Sequence, residues 1–375
     1  MAARSSGTWA LVAGGGTAGH VLPAVAVARA LVAGGCAAGS IHFVGASRGI
    51  EARLVPASGF EVTLLPGRGV ARRLSADNLG AVAGTALAVA RAVALVGRRR
   101  PAVVLSVGGY ASVPAVLAAA LWRVPVVVAE QNAVPGLANR LAGRLAAACA
   151  VSFPGTPLPR AVVTGNPVRP ELAHLDRSDA ARLRAREALG WATAGHLVAV
   201  VGGSLGSRRI NLATVAVAGA WRDRPAVSIH HVVGERDAAE MAERAAAAGL
   251  DPSRYRQVSF EERMDLLLAA ADVVVGRAGA GTVFELAAAG RPSLLVPLPG
   301  APGDHQGFNA RYLSGVGASV VVADGQLDGE TLGAELDRLL SDPDRLAAMG
   351  DAAATLAVPD AADRVARLVE AHARA

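Results

Sequence analysis

From residue 8 onward the chain repeats one pattern. A short run of consecutive apolar, often β-branched residues gives way to a glycine-rich or polar break, and then to a longer alanine-rich stretch. The apolar runs predict strands at 8–13, 40–44, 60–65, 102–106, 125–129, 147–153 and 161–164. A second series follows at 196–201, 227–233, 256–260, 272–275, 293–297 and 319–322. Runs that are apolar throughout belong to strands buried on both faces, and helical stretches between them make parallel crossovers. The predicted fold class is α/β, with two doubly wound parallel sheets. Between the series lies "TGNPVRPELAHLDRSDAARLRAREALGWATAG", which carries prolines and charges and few β-branched residues. The predicted domains are 1–165, a link at 166–195, a second domain at 196–357 and a C-terminal segment at 358–375. That segment, "AADRVARLVEAHARA", reads as an amphipathic helix. Two such domains in tandem put a cleft between them, and ligands of such sheets bind beyond the carboxyl ends of the strands.

Composition agrees with this and removes some chemistry. A chain of 375 residues exceeds one ordinary core. Apolar residues make up 52% and aromatics only 3%, so alanine, valine and leucine must fill the interior. All 37 basic residues are arginine, which excludes a Walker lysine and a Schiff-base lysine. The net charge of +6 suits nucleic acid, an anionic membrane surface or anionic small substrates. The arginines are scattered apart from Arg72-Arg73 and Arg98-Arg99-Arg100, and no aromatic–basic pattern accompanies them, so no nucleic-acid partner is expected. Cys36 and Cys149 stand far apart in apolar contexts, which fits a reducing cytoplasm. Arg4 and the apolar residues after it resemble a signal peptide, but three glycines and His20 interrupt the apolar core. Residues 102–122 are uncharged and long enough to span a bilayer. Gly108, Gly109 and Pro114 break them, so strand, loop and helix are expected instead.

The candidate chemistry sits at glycine turns. "GGGTAGH" follows the first strand and opens a helix, satisfying G-x-G-x-x-G through Gly14, Gly16 and Gly19. A dinucleotide site also wants an acid about 20 residues on. The second strand ends at "FVGASRG" without one, and the first acidic residue of the whole chain is Glu51. NAD is disfavoured, while an NADP site using Arg48 stays open. Such a turn can present backbone N–H groups to an anion at the positive end of a helix. "GGSLGS" at 202–207 repeats the arrangement with a hydroxyl, Ser204. His20 stands in the first turn, where a neutral imidazole is placed to take a proton; packing or capping is the plainer alternative.

Further signatures follow: "SVGGYASVPA" at 106–115, "AEQNAVPGLANR" at 129–140, "TGNPVR" at 164–169, "RAGAGTVFELAAAGRPSLLVPLPG" at 277–300 and "DHQGFNA" at 304–310. With the two glycine turns, the set resembles the bacterial peptidoglycan glycosyltransferases that make lipid II, over nearly the whole chain and in order. The resemblance implies a GT-B fold of two Rossmann-like domains. It implies inverting, metal-free transfer of N-acetylglucosamine from UDP-N-acetylglucosamine to undecaprenyl-linked lipid I, with no cofactor. It implies a peripheral enzyme on the cytoplasmic side of the cell membrane, with cell-wall synthesis and division proteins as further partners. The acceptor is assigned to the N-terminal half and the UDP-sugar to the C-terminal half.

The resemblance makes Glu285 the ribose ligand. From the residues, a helix beginning near Thr282 puts Glu285 in the first helical turn, where it is also a favourable charge. Ala280, Gly281 and Thr282 are assigned to the uracil, Ser204 to the diphosphate, and Arg169 to the donor's anionic part or sugar. Gln306 and Asn132 are assigned to the sugar. Thr17, Ala18 and Gly19 fall on positions used around the donor, and Tyr110 is placed to position the acceptor. His20 is the first candidate for the base and Glu130 the second. Asp342-Pro343-Asp344 is the one Asp-x-Asp triplet, and it reads as a helix cap rather than a metal site. Leu205, Gly307-Phe308 and Glu261 depart from the family's common pattern. Residues 79–97 form an apolar stretch flanked by arginines, suited either to an anionic leaflet or to covering a sheet. A related GT-B enzyme or 2-epimerase, an NADP oxidoreductase and a non-catalytic UDP-sugar sensor remain as alternatives.

Overall fold

A computed structural model describes residues 7–47, 49–66, 77–203 and 206–374, with side chains from residue 84 onward in the helix that starts at Asp77. Ser204 and Leu205, Arg48 and the Arg72-Arg73 pair therefore lie outside the described residues. The chain divides into two compact units, one of residues 1–169 and 359–375, the other of residues 170–358.

The first unit runs β1 (Ala10–Gly14), α1 (Ala18–Ala33), β2 (Ile41–Ala46), α2 (Glu51–Ala57), β3 (Glu61–Leu65), α3 (Asp77–Arg99), β4 (Val103–Gly108), α4 (Ser112–Leu121), β5 (Val126–Glu130), α5 (Leu137–Leu145), β6 (Ala148–Val151) and β7 (Ala161–Val163). The second runs α6 (Pro170–Ala173), α7 (Asp179–Ala188), β8 (His196–Val201), α8 (Arg208–Ala220), β9 (Val227–Val232), α9 (Ala238–Ala247), β10 (Tyr255–Val258), α10 (Met264–Ala270), β11 (Val273–Gly276), α11 (Ala280–Ala289), β12 (Ser293–Leu295), α12 (His305–Ser314), β13 (Ser319–Val321), α13 (Gly329–Leu340) and α14 (Pro343–Ala354). The last helix, α15 (Ala361–His372), returns to the first unit.

Strands form at all thirteen predicted places. They assemble as a seven-stranded sheet, β3-β2-β1-β4-β5-β6-β7, and a six-stranded sheet, β10-β9-β8-β11-β12-β13. All the pairings are parallel; β1, for example, sets Ala10 against Ile41 of β2 and Val103 of β4. Strands β1, β4 and β5 are buried along their whole length, as continuous apolar runs require. Edge strand β7 is exposed. Small aliphatic side chains fill both faces of the first sheet, Val12, Val25 and Leu105 on one and Leu11, Val104 and Val128 on the other. Residues 102–122 become β4, a glycine turn and α4, largely buried. No described helix is long and apolar enough to cross a membrane.

Two segments take their place from packing. Residues 166–195 carry α6 and α7, and α7 lies against α10 of the second unit. Helix α15 lies against α1, burying Val365, Ala366 and Val369, and the Arg374 N–H donates to Ala102 O at 3.0 Å. An amphipathic stripe needs an apolar partner surface, and α1 supplies it.

Candidate functional site

In each sheet one pair of neighbouring strands sends its helices to opposite sides, β1 and β4 in the first and β8 and β11 in the second. A crevice opens beyond the carboxyl ends of such a pair. The glycine turns stand at these two places.

In the first unit the turns after β1 and β4 touch. The Gly15 N–H donates to Gly108 O at 3.2 Å. Gly14 and Gly109 both have positive φ, 140° and 82°. A Cβ on Gly14 would strike the Gly108 carbonyl, and one on Gly109 the Gly15 carbonyl. Helix α1 then starts at Ala18 with Thr17 as its extended N-cap; no side chain caps it and no acid lies in its first turn. Its positive end is left for an anion. Thr17 Oγ1 lies 3.0 Å from His20 Nδ1. Thr17, Ala18, Gly19 and His20 are all at least partly exposed.

Glu130 ends β5 and is only 3% exposed. Its Oε1 accepts the Asn132 N–H at 2.9 Å, and its Oε2 accepts Asn139 Nδ2 at 3.0 Å and the Gly136 N–H at 3.1 Å. A carboxylate so occupied shapes its loop. Asn139, whose place in "GLANR" gives no local sign of a role, joins these parts: its amide also donates to Ala129 O at 3.0 Å. A Cβ on Gly108 would touch both Asn139 and the His20 ring. His20, Glu130 and Asn132 are thus brought to one end of the sheet. Tyr110, half-buried beside them, donates to Thr85 Oγ1 at 3.2 Å. Arg169, half-buried, ends the first unit's main segment.

In the second unit the turn after β8 contains Gly202, Gly203 and Gly206, and the Gly206 N–H donates to Gly203 O at 3.0 Å. A Cβ on Gly202 would strike the Ser207 amide, so the turn needs glycine to bring Ser207, the N-cap of α8, this close. Behind it a buried network holds α8. Asn211 Nδ2 donates to Val233 O at 2.9 Å and to Asp237 Oδ2 at 3.0 Å. Its Oδ1 lies 3.0 Å from His231 Nε2, and His231 Nδ1 lies 2.9 Å from Tyr255 Oη. Burial pushes the His231 pKa down to about 3, so the ring is neutral.

The turn after β11 leads into α11, with Gly279 as N-cap and Ala280, Gly281 and Thr282 as the first turn. This corrects one expectation. Because the helix begins at Ala280 and not near Thr282, no acid lies in its first turn, and Glu285 stands in the second. Gln306, in the first turn of α12, accepts the Leu298 N–H at 2.9 Å on Oε1. Asn309 Nδ2 donates to Ala278 O at 3.1 Å, joining α12 to the turn that carries Ala280. Arg277 donates to Val296 O at 3.1 Å and pairs with Asp324 at 2.6 Å. Glu261, at the end of the loop after β10, pairs with His230 at 3.1 Å and accepts the Arg263 N–H at 2.9 Å. Burial is the main force drawing the His230 pKa down, opposed by Glu261. Asp342 caps α14 by accepting the Arg345 N–H at 2.9 Å, with Pro343 in the first turn, as its spacing predicts. Among the described residues no group of three or more His, Cys, Asp or Glu is placed to hold a metal ion.

This geometry has close relatives. Residues 10–151 match the glycosyltransferase family 28 N-terminal domain, and residues 197–365 match the family's C-terminal domain. The chain is 38% identical to a UDP-N-acetylglucosamine--N-acetylmuramyl-(pentapeptide) pyrophosphoryl-undecaprenol N-acetylglucosamine transferase of Desulforudis audaxviator, over 96% of this chain and 97% of that one. It is 42% identical to the protein of the same name from a Nocardioides species, over 96% of each. The crystal structure of Acinetobacter baumannii MurG superposes with a TM-score of 0.74 at 29% identity, covering 97% of this chain and 99% of that one. Two doubly wound units, each opening on a glycine turn and matched end to end, leave one assignment: the chain belongs to glycosyltransferase family 28.

Proposed function

We propose that this glycosyltransferase moves N-acetylglucosamine from UDP-N-acetylglucosamine to undecaprenyl-diphospho-muramoyl-pentapeptide, making the lipid II disaccharide for peptidoglycan. One observation carries the reading. Relatives named for this reaction align with 96% of the chain, and each family domain begins at the strand that leads into one of the two glycine crevices.

The second unit takes the donor. The N-terminus of helix α8 and Ser204 before it are assigned to the diphosphate. The first turn of α11, Ala280 to Thr282, reads the uracil. Glu285, one turn further along, accepts the ribose hydroxyls. Gln306 keeps its amide NH2 for sugar hydroxyls while its Oε1 is held by Leu298. Arg169, of the first unit, is assigned to the donor's anionic part or the sugar.

The first unit takes the acceptor beside the α1 N-terminus, where Thr17, Ala18 and Gly19 fall on positions the family uses around the donor. Tyr110 and Asn132 line this crevice and position the sugars. The acceptor hydroxyl gives its proton to His20 Nε2 as its oxygen bonds to the anomeric carbon from the face opposite UDP, and UDP departs with inversion. This requires the Nδ1 proton to be donated to Thr17 Oγ1, which leaves Nε2 as the acceptor. Charge on the departing UDP falls on helix ends and amides, so transfer is expected to survive chelation.

The lipid acceptor brings the protein to the cytoplasmic membrane face. Helix α3 buries Ala88, Ala92 and Val96 and covers the sheet. The apolar surface beside it belongs partly to α4: Leu87, Leu117, Leu121 and Trp122 are exposed, with Arg98 and Arg99 ending α3. These residues suit an anionic leaflet. The test of the reaction is transfer of labelled sugar to a short-chain lipid I. Label in the disaccharide with magnesium absent is expected; label released only as free sugar, or none transferred, refutes the reading.

A further inference from the structure

Glu51 is the first acid in the chain and is 1% exposed. A carboxylate so buried persists only where donors replace its water. Both of its oxygens are met by backbone amides. Oε2 accepts the Gly16 N–H at 2.8 Å, and Oε1 accepts the Ala46 N–H at 2.7 Å. Gly16 belongs to the turn after β1, and Ala46 ends β2. Glycines wall the carboxylate: a Cβ on Gly15, Gly45 or Gly49 would fall within its volume. Gly45 and Gly49, with Gly15 and Gly16 of the first turn, thus serve one side chain. Gly15 and Gly16 already donate inside the protein, to Gly108 O and to Glu51. They are not the donors that meet an incoming anion.

We propose that Glu51 is the positioning residue of the acceptor-side turn: an internal carboxylate that occupies the glycine nest, fixes Gly16, and so sets the Thr17–His20 pair and the start of α1 at the angle the acceptor needs. The proposal rests on the lipid I transfer reading. It adds that the glycines after β1 hold the chain's own acid, and that a substrate anion meets only the helix end beyond them.

Glu51→Gln keeps the shape but turns one NH2 against a backbone N–H, and Glu51→Asp falls a methylene short of both amides. A displaced turn misplaces the reacting groups, so kcat is expected to fall on the order of 10- to 100-fold and the acceptor KM to rise. Affinity for UDP, whose assigned uracil and ribose contacts lie in the second unit, is expected to stay within about twofold, which also reports an intact fold. Gly49→Ala drives a methyl into the same carboxylate and carries the test if Glu51→Gln does not fold. Removing the carboxylate in Gly49→Ala/Glu51→Ala relieves that clash, so the double variant is expected to be no worse than Glu51→Ala alone. The His20 imidazole signals in a nitrogen-15 spectrum are expected to shift in Glu51→Gln, a readout independent of any substrate. Inactivity of the unaltered enzyme toward lipid I with this spectral shift present refutes the transfer reading and not the Glu51 role. A Glu51→Gln protein that melts lower yet keeps kcat, acceptor KM and His20 signals overturns the proposal.

Discussion

Arg186 offers a quantitative test of how the second unit is held together. It lies in the segment whose composition reads as a link, yet it is 1% exposed. Its Nε donates to Ala270 O at 3.1 Å, and its Nη1 to Thr193 O at 3.0 Å and Gly195 O at 2.9 Å. Its Nη2 donates to Asp272 Oδ2, which also accepts the Leu197 N–H at 2.7 Å. Methionine matches the length and supplies none of these donors. Breaking a buried ion pair from one side costs about 3–5 kcal/mol. Arg182 remains on Asp272 Oδ1 at 2.9 Å, so the lower end applies. Counted differently, three buried carbonyls lose their donor at about 1 kcal/mol each. Both routes give about 3 kcal/mol for Arg186→Met. Asp272→Asn is expected to cost more, because that one carboxylate offsets Arg182, Arg186 and Arg291. Urea unfolding in a Trp9→Phe/Trp122→Phe background leaves Trp191 and Trp221, both in the second unit, as the fluorescent reporters. A loss below about 1 kcal/mol would refute the reasoning: the segment would then be held by something other than this clamp.

His20→Ala is expected to lower kcat by about 10²- to 10⁴-fold with little change in donor KM. Thr17→Val is expected to act in the same direction and Thr17→Ser to stay near the unaltered enzyme; a higher KM with kcat kept would remove His20 as the base. Glu285→Ala is expected to weaken UDP binding by about 1.5–3 kcal/mol in calorimetry, the worth of hydrogen bonds to a charged group. Equal loss of 2′-deoxyuridine diphosphate binding would deny it the ribose. His231 has a folded pKa of about 3 against about 6.5 unfolded, so below pH 6.5 the unfolded chain takes a proton that the fold refuses. Stability is therefore full above pH 6.5 and falls on acidification, by up to about 1.4 kcal/mol per pH unit from this group. Urea midpoints between pH 7 and 5 should fall less steeply in His231→Gln, and an unchanged slope would contradict the assignment. Leu121→Glu and Trp122→Glu are expected to reduce sedimentation with anionic liposomes, and added salt to weaken it; indifference to both would rule out this face.

Much of the architecture could be read directly from the chain. Most strands announced themselves as largely apolar runs, because a strand covered on both faces has no position where a polar side chain meets water; β9 (VSIHHV) and β10 (YRQV) are more polar. The glycine turns were equally plain, since the close approach of Gly14 to Gly108 admits no Cβ. Helix α15 was visible from its amphipathic spacing. What the residues do individually was harder to see. Glu130 is a candidate base from its motif, and only the fold shows the loop donors around its carboxylate. Glu285 moved by one turn because Gly279, and not a later residue, caps α11. Asn139, Asn211 and Asn309 gave little local signal, as a buried amide is recognised by carbonyls distant in sequence.

By itself the sequence determined the fold class, the two-part organisation and the family, because these follow from local periodicity and from short motifs in order. Only the tertiary structure decided the strand order, the docking of α15 on α1, the burial of Arg186 and the seating of Glu51 among three glycines. These are long-range matters. A buried charge stays where it is because partners far along the chain replace its water, and spacing in sequence does not name those partners.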